Sequence, residues 1–206
     1  MDELTYEMEY AARGYLAVAG VDEVGRGPLA GPVVCAVVIL PLEEERRIVG
    51  INDSKKLSAK KREALAALIR ERARAYVIAE VSNDVIDAIN ILQATRLCMK
   101  RAVEQLDPPA DMVLTDGNMT LDIALPQRSI VKGDALVASI GAASILAKVY
   151  RDALMCRYAQ IYPAYAFECN AGYGTAAHIA ALREVGPCPI HRRTFLTKLL
   201  GEERKR

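Results

Sequence analysis

The sequence lacks the short cysteine motifs that mark disulfide frameworks and zinc sites. Its five cysteines are an odd number, and no two of them are separated by two residues. This usage is typical of reduced thiols, so we expect a cytoplasmic protein. The GxxxxGK[ST] motif is also absent, which argues against a nucleotide-dependent enzyme.

No stretch of the chain predicts a membrane span or a secretory leader. The longest uncharged run, residues 27–42, is interrupted by Pro28, Pro32 and Pro41, and it is too short to cross a bilayer. Residues 2–9 carry four acidic side chains, whereas a signal peptide opens with basic ones. We therefore expect no membrane partner.

Charges of both signs are nearly balanced over the 206 residues, and the net charge of +1 does not by itself suggest nucleic acid. Basic residues near the end of the chain are Arg192, Arg193, Lys198, Arg204, Lys205 and Arg206. Such a segment either tracks phosphates or keeps the protein in solution. The length fits one domain with an appendage. We divide the chain into a domain of residues 1–190, which opens with a helix at 1–13, and a basic tail of residues 191–206.

The order of apolar segments predicts an α/β fold, with helices packed on a central mixed sheet. Strands are predicted at residues 15–22, 33–40, 76–81, 112–115 and 129–131. Helices are predicted at residues 58–74, 83–90, 92–106, 135–158 and 176–184. The first two strands are predicted to be antiparallel neighbours. Residues 135–147 carry no charge, so this part of the long helix is predicted to be buried nearly all round.

An acidic pair, Asp22-Glu23, follows the first predicted strand and precedes a loop rich in glycine and proline. Neighbouring strand residues point to opposite faces, so both carboxylates can serve one site only at a strand end or a distortion. Two other interpretations are a solvated acidic pair and a dinucleotide fingerprint that begins at Gly25. We reject the fingerprint because it needs a third glycine at a fixed spacing and a helix, whereas prolines here lead into another extended run.

Four acidic residues share one feature, since each lies where an apolar strand gives way to a loop or helix. They are Asp22, Glu23, Asp116 and Asp134. Clustered carboxylates are typical ligands of Mg2+, and two such ions about 4 Å apart can promote phosphodiester cleavage. Each of these residues also has an interpretation that does not involve a metal. Asp116 is also typical of a turn, Asp134 of a helix N-cap and Lys132 of an exposed surface.

Taken together, the motifs resemble those of bacterial ribonuclease HII, in family order over nearly the whole chain. Residues 19–33 read AGVDEVGRGPLAGPV, and residues 52–58 read NDSKKLS. Further motifs are NIL at 90–92, TDG at 115–117, KGD at 132–134, AASILAKV at 142–149, Arg151-Asp152, and HRRTF at 191–195. The chain departs from the family at Asn170-Ala171, where His-Lys is usual, and at Gly141, where serine is frequent.

The resemblance implies a ribonuclease H-like fold with a helical C-terminal appendage. It also implies an endonuclease that hydrolyses the RNA strand of RNA/DNA hybrids and incises 5′ of ribonucleotides embedded in duplex DNA. Two Mg2+ or Mn2+ ions would assist, leaving 3′-hydroxyl and 5′-phosphate ends. The alternative is a weak or inactive protein of this fold that only binds hybrids, and cleavage with and without EDTA separates the two. We expect a monomer.

Family roles carry over to individual residues of this chain. The residues implied to be catalytic and to hold the metal are Asp22, Glu23, Asp116 and Asp134. Those implied to contact the substrate are Gly25, Arg26, Gly27, Lys55, Lys132 and Tyr173. In the family, the Gly-Arg-Gly loop senses the ribose 2′-hydroxyl, which distinguishes RNA from DNA, and the tyrosine packs on the neighbouring sugar. The sister group, ribonuclease HIII, typically has Gly-Lys-Gly in this loop.

Overall fold

A five-stranded sheet with the order β3-β2-β1-β4-β5 forms the centre of the computed structural model, which describes residues 4–52 and 54–201. Its strands are β1 (Val18–Val24), β2 (Val33–Ile39), β3 (Ala75–Val81), β4 (Met112–Asp116) and β5 (Gln127–Ile130). The first three strands pair antiparallel, while β4 pairs in parallel with both β1 and β5. The predicted mixed sheet is confirmed, as is the antiparallel pairing of its first two strands.

Helices cover both faces of this sheet. They are α1 (Thr5–Ala12), α2 (Ala59–Arg72), α3 (Asn83–Glu104), α4 (Gly133–Leu136), α5 (Ala138–Ile161), α6 (Phe167–Asn170), α7 (Ala176–Val185) and α8 (Arg193–Leu200). Alternate residues of β1 and β2 pack on α3, and the others pack on α2 and α5. This alternation follows from the period of two along a strand. β1 and β2 are therefore apolar on both faces.

Two helix boundaries differ from the sequence prediction. The break predicted between helices at 83–90 and 92–106 is a kink at Asn90 within α3, where φ is 66°. The long helix begins at Ala138 and not at Ala135, because residues 133–136 form the separate turn α4. Leu136 is exposed, so burial all round holds for residues 138–147 alone.

β1 packs against the first turn of α5 so closely that only glycine fits at the contact. A Cβ atom on Gly20 would lie 2.2 Å from the backbone nitrogen of Ile140 and from the carbonyl carbon of Ser139. α1 secures the same turn, since the buried carboxylate of Glu7 accepts hydrogen bonds from the N–H (2.7 Å) and hydroxyl (2.6 Å) of Ser139. The start of α5 is thus held beside the acidic end of β1.

The C-terminal segment is a helical appendage that packs on the body of the protein. Leu196 of α8 is buried, and Asp87 accepts hydrogen bonds from the N–H groups of Arg193 and Thr194. Arg192 has neither of the two roles considered for the basic tail, because its side chain is fully buried. Residues 202–206 and the side chain of Lys198 lie outside the described residues, so their proposed phosphate contacts stay a prediction. The domain boundary at residue 190 also stays a prediction.

Among the described residues, none of the helices combines the length and the apolar character that crossing a bilayer demands.

Gly20→Ala should destabilise the fold strongly. The added methyl group meets backbone atoms at 2.2 Å, and backbone cannot rotate away as a side chain can. Overpacking of this kind typically costs about 1–3 kcal/mol or more. Urea unfolding followed by circular dichroism measures the loss. Gly14→Ala is the control, because no atom lies within 4 Å of its Cβ position and only the positive φ is strained. A smaller loss at Gly20 than at Gly14 would contradict the packing argument.

Candidate active site

The parallel pairing of β1 with β4 brings the first two predicted carboxylates together. Val21 is paired with Thr115, so Asp22 and Asp116 follow at the same end of neighbouring strands. The pairing of Asp116 with Ile130 then places the chain after β5 at that end too. The sequence placed the candidate carboxylates where apolar strands end. In the structure these ends lie at one edge of the sheet, where the carboxyl ends of parallel strands converge.

Asp22 and Glu23 lie on opposite faces of β1. Asp22 is on the α5 face and 6% exposed, and the hydroxyl of Ser144 acts to lower its pKa. Glu23 is on the α3 face, and its Oε1 lies 3.3 Å from Nη1 of Arg26. Asp116 acts electrostatically on both carboxylates. β1 ends at Val24, one residue after Glu23. The acidic pair therefore lies at the end of the strand, where two side chains that point to opposite faces can still serve one site.

Asp134 belongs to the same end of the sheet. The N–H of Gly133 donates to Oδ1 of Asp116 at 2.7 Å, and Lys132 before it has a left-handed φ of 59°. The N-cap interpretation of Asp134 is not confirmed, because Val137 occupies the N-cap of α5 and Asp134 lies in the first turn of α4. Its Oδ2 lies 3.8 Å from Nζ of Lys55, which is 80% exposed.

Two serines that the sequence did not single out connect these groups. Ser54 and Ser144 share a hydrogen bond of 2.9 Å between their hydroxyl groups, and the hydroxyl of Ser144 acts to lower the pKa of Asp22. Both lie inside motifs of the family resemblance, which is the only signal that could have identified them. The hydrogen bond between Ser54 and Ser144 therefore joins the segment that carries Lys55 to α5, the helix on the Asp22 side of β1.

The acidic end of the sheet is electrostatically strained. Burial raises the pKa of Asp22 well above its usual value, and the charges of Glu23 and Asp116 raise it further. Burial also raises the pKa of Glu23, against the opposing effect of Arg26. Both shifts mean that ionisation of these carboxylates is disfavoured, mainly because burial removes them from water.

The chemistry of these side chains fits a divalent cation, although no finished metal cage is present. Within the ranges 4–52 and 54–201, no group of three or more His, Cys, Asp or Glu side chains is arranged to hold an ion. A cation would relieve the repulsion that raises the pKa of Asp22 and Glu23. Carboxylate oxygens also suit Mg2+ and Mn2+.

The predicted substrate loop and Tyr173 lie side by side. A Cβ atom on Gly27 would lie 3.5 Å from Cε1 of Tyr173, whose side chain is 46% exposed. The loops are joined by a hydrogen bond of 2.8 Å from the N–H of Leu29 to the carbonyl of Gly172. Asn170, at the departure from the family motif, is buried and accepts a hydrogen bond from the N–H of Gly172.

A buried pair of histidines supports the Tyr173 loop from behind. Nδ1 of His178 lies 2.8 Å from the carbonyl oxygen of Tyr173, and its Nε2 lies 2.9 Å from Nε2 of His191. Burial and the neighbouring His178 lower the pKa of His191 to about 4. Both the pair and its contact with Tyr173 are invisible in the sequence pattern, because residues 178 and 191 lie on different elements.

Comparison with known proteins identifies the family. A family model described as ribonuclease HII matches residues 19–198. The chain belongs to the ribonuclease HII family. It is therefore a ribonuclease H, a hydrolase that cleaves RNA in RNA/DNA hybrids, and the family resemblance is confirmed.

Individual ribonucleases of this kind are similar to this chain over most of their length. Ribonuclease HII of Chlorobium chlorochromatii (strain CaD3) is 54% identical over 193 residues, which cover 92% of this chain and 94% of that protein. The ribonuclease H2 structure from Pyrococcus horikoshii OT3 has a TM-score of 0.77 at 27% identity, covering 93% of this chain and 100% of that one. Bst-RNase HIII in complex with Mn2+ shares the fold, with a TM-score of 0.68 at 19% identity and coverage of 93% and 71%. The predicted ribonuclease H-like fold is confirmed.

Asp22→Asn should stabilise the fold at pH 7 in metal-free buffer. The folded-state pKa of Asp22 lies well above its usual value, so ionisation of this side chain opposes folding, and the cost grows as the pH rises from the usual value through the folded-state pKa. Removing the ionisable group should raise the free energy of unfolding at pH 7, and the gain should shrink toward pH 4. Thermal unfolding at several pH values checks this.

The control for this measurement is Asp122→Asn, since the Asp122 side chain is 98% exposed and should give no gain. Equal melting temperatures for Asp22→Asn and the wild type at pH 7 would mean that Asp22 is not electrostatically strained.

Proposed function

We propose that this ribonuclease H incises on the 5′ side of ribonucleotides embedded in duplex DNA, as well as cleaving RNA/DNA hybrids, with two divalent ions in one site. The observation that carries the proposal is the burial of Asp22 beside Glu23 and Asp116, which raises its pKa through desolvation and repulsion. Carboxylates held in this state are a site in need of positive charge. The Mn2+ bound by Bst-RNase HIII, a protein of the same fold, supports this assignment.

In this proposal the four carboxylates share the metal site. When bound, Mg2+ or Mn2+ activates the attacking water and stabilises the leaving 3′ oxygen. The hydroxyl of Ser144 orients the carboxylate of Asp22, and the N–H of Gly133 orients that of Asp116. Glu23 and Asp134 complete the donor set from the other face of β1 and from α4. The products carry 3′-hydroxyl and 5′-phosphate ends.

We infer that the substrate binds across the adjacent loop. Gly25, Arg26 and Gly27 would offer backbone groups to the ribose 2′-hydroxyl, which both donates and accepts hydrogen bonds. Tyr173 would pack on the neighbouring sugar from the other side of the same cleft. Lys55 and Lys132, both exposed, would contact phosphates beside the carboxylates. We further propose that the protein acts as a monomer in the cytoplasm.

Cleavage of a duplex that carries one ribonucleotide should depend on a divalent metal and on Asp22. The wild type should cut 5′ of the ribonucleotide with Mg2+ or Mn2+ and should stop when EDTA is added. Asp22→Asn should lose cleavage because the buried ligand no longer carries charge, and removing a group that acts only in the transition state lowers kcat. Denaturing gels with end-labelled strands report the cut position and the end groups.

The matched control for this assay is Asp122→Asn, which should cleave like the wild type. Substantial turnover by Asp22→Asn, or cleavage that EDTA does not affect, would contradict the metal assignment. Binding of the duplex without cleavage would favour the inactive hybrid-binding alternative.

Tyr173→Ala should lower the rate of cleavage of the single-ribonucleotide duplex more than that of a continuous RNA/DNA hybrid. A hybrid offers many registers, whereas one ribonucleotide can be cut only when its sugar is correctly placed. Misplacement of about 1 Å can cost about a hundredfold in rate, so kcat on the two substrates should separate clearly. Tyr76→Ala is the control, because Tyr76 is also partly exposed but lies on β3, away from the loops. Equal losses on both substrates would assign Tyr173 to general binding or folding.

A further inference from the structure

Two arginines are among the most deeply buried large side chains of the protein, and both contact the substrate loop. Arg151 is 1% exposed and Arg192 is 0% exposed. The hydrogen bonds of both guanidinium groups go to backbone carbonyls, and five of the six acceptors lie between residues 25 and 32. A buried charge is costly unless it is well hydrogen-bonded, so this arrangement constrains the loop strongly.

Arg192 holds the segment that is proposed to sense the ribose. Its Nη2 donates to the carbonyl of Gly25 at 2.5 Å, and its Nη1 donates to the carbonyl of Arg26 at 2.9 Å. Its Nε donates to the carbonyl of Gly31 at 3.0 Å. One planar group thus connects both ends of the loop in a fixed geometry. A lysine has a single ammonium group and cannot reproduce this fork.

These contacts also determine where the opposite edge of each peptide points. In a planar trans peptide the N–H lies opposite the C=O. When the carbonyls of Gly25 and Arg26 face the buried guanidinium, the N–H groups of Arg26 and Gly27 therefore face away from it. Arg26 and Gly27 are both exposed, so the outward side of these peptides is the side from which a ligand approaches.

Arg151 links the same loop to the segment that carries Tyr173. It donates to the carbonyls of Pro32 (3.2 Å) and Ala30 (3.1 Å) on one side and to that of Ala171 (2.9 Å) on the other. A Cβ atom on Gly25 would lie 2.3 Å from its Nε, so the loop lies directly on this side chain. The loop of residues 25–32 and the segment that carries Tyr173 are therefore both held by the buried guanidinium groups of Arg151 and Arg192.

We propose that Arg192 is a positioning residue for ribose recognition, which it serves by orienting the N–H groups of Arg26 and Gly27 toward the 2′-hydroxyl. This inference rests on the proposed role of the Gly25–Gly27 loop and extends it to a residue that never touches the substrate. Burial and the nearby Arg151 lower the pKa of Arg192 to about 9, so the guanidinium remains charged at neutral pH. Its hydrogen bonds are accordingly of the strong, charge-assisted kind.

The test compares Arg192→Lys with the wild type on a duplex that carries a single ribonucleotide, with kcat and KM measured separately. We expect kcat to fall by about tenfold or more, because small misplacements cost large factors in rate. We expect KM to change by less than about threefold, since Arg192 contributes no phosphate contact that would make binding salt-dependent. The NMR resonances of the Arg26 and Gly27 amides should shift in the variant, because their peptides are no longer held in one orientation.

Two controls separate positioning from loss of stability. Arg74→Lys replaces a guanidinium that also donates to a backbone carbonyl, that of Leu16 at 2.8 Å, but away from the loop. Ile69→Val loosens the buried core beneath α2, where Ile69 is 0% exposed. Both should keep the wild-type kcat. A similar loss of kcat in Ile69→Val would assign the effect of Arg192→Lys to stability and overturn the proposal.

Should Arg192→Lys fail to fold, Phe195→Leu provides the second variant. The Phe195 ring lies 5.2 Å from Cζ of Arg192, so this change loosens the guanidinium without removing it. It should lower kcat on the same duplex by about threefold, while Phe195→Tyr, which keeps an aromatic face, should restore the wild-type value. Failure of Phe195→Tyr to restore it would count against the proposal.

The remaining outcomes are distinct. If the wild type is active and Arg192→Lys matches it in kcat and in the amide resonances of Arg26 and Gly27, the positioning role is wrong and the proposed function stands. A loss confined to KM that varies with salt would make Arg192 a phosphate contact and overturn the proposal. If the wild type leaves the single-ribonucleotide duplex intact while cleaving hybrids, the proposed recognition fails, and the positioning role fails with it.

Discussion

The burial of Asp22 at the end of a central strand is the constraint on which the rest of the site depends. A carboxylate that is 6% exposed and close to two others opposes folding, so the surrounding packing must offset this cost. The apolar faces of β1 and β2 supply that packing, and the close contact of Gly20 with the first turn of α5 brings Ser144 within reach of Asp22. The charge of Asp22 and the apolar packing around it thus act in opposite directions on the stability of the fold.

Much of this arrangement could be predicted from the sequence because it depends on local pattern. The mixed sheet followed from the order of apolar segments, and the carboxylates were singled out because each lies where an apolar strand gives way to a loop or helix. Parallel pairing then brings such ends together, as with Val21 and Thr115. Even the kink at Asn90 coincided with a predicted break between helices.

The remaining features depend on contacts between distant parts of the chain, which periodicity does not report. Asp134 reads as an N-cap because it precedes a long helix, but the left-handed Lys132 and the turn α4 shift the cap to Val137. Arg192 reads as part of a basic tail because charge usually marks the surface. Its acceptors lie more than 160 residues earlier, and the sequence contains no signal of that pairing.

The large sequence separation between Arg192 and its acceptors also determines when the loop of residues 25–31 can be fastened during synthesis. Hydrogen bonds from Arg192 to the carbonyls of Gly31, Arg26 and Gly25 span 161, 166 and 167 residues. A growing chain contains the loop from its earliest stage, yet the guanidinium that fastens the loop is made only when residue 192 is added. The ribosome therefore carries a nascent chain in which the acidic strand is already translated, but the loop of residues 25–31 still lacks the guanidinium that holds it.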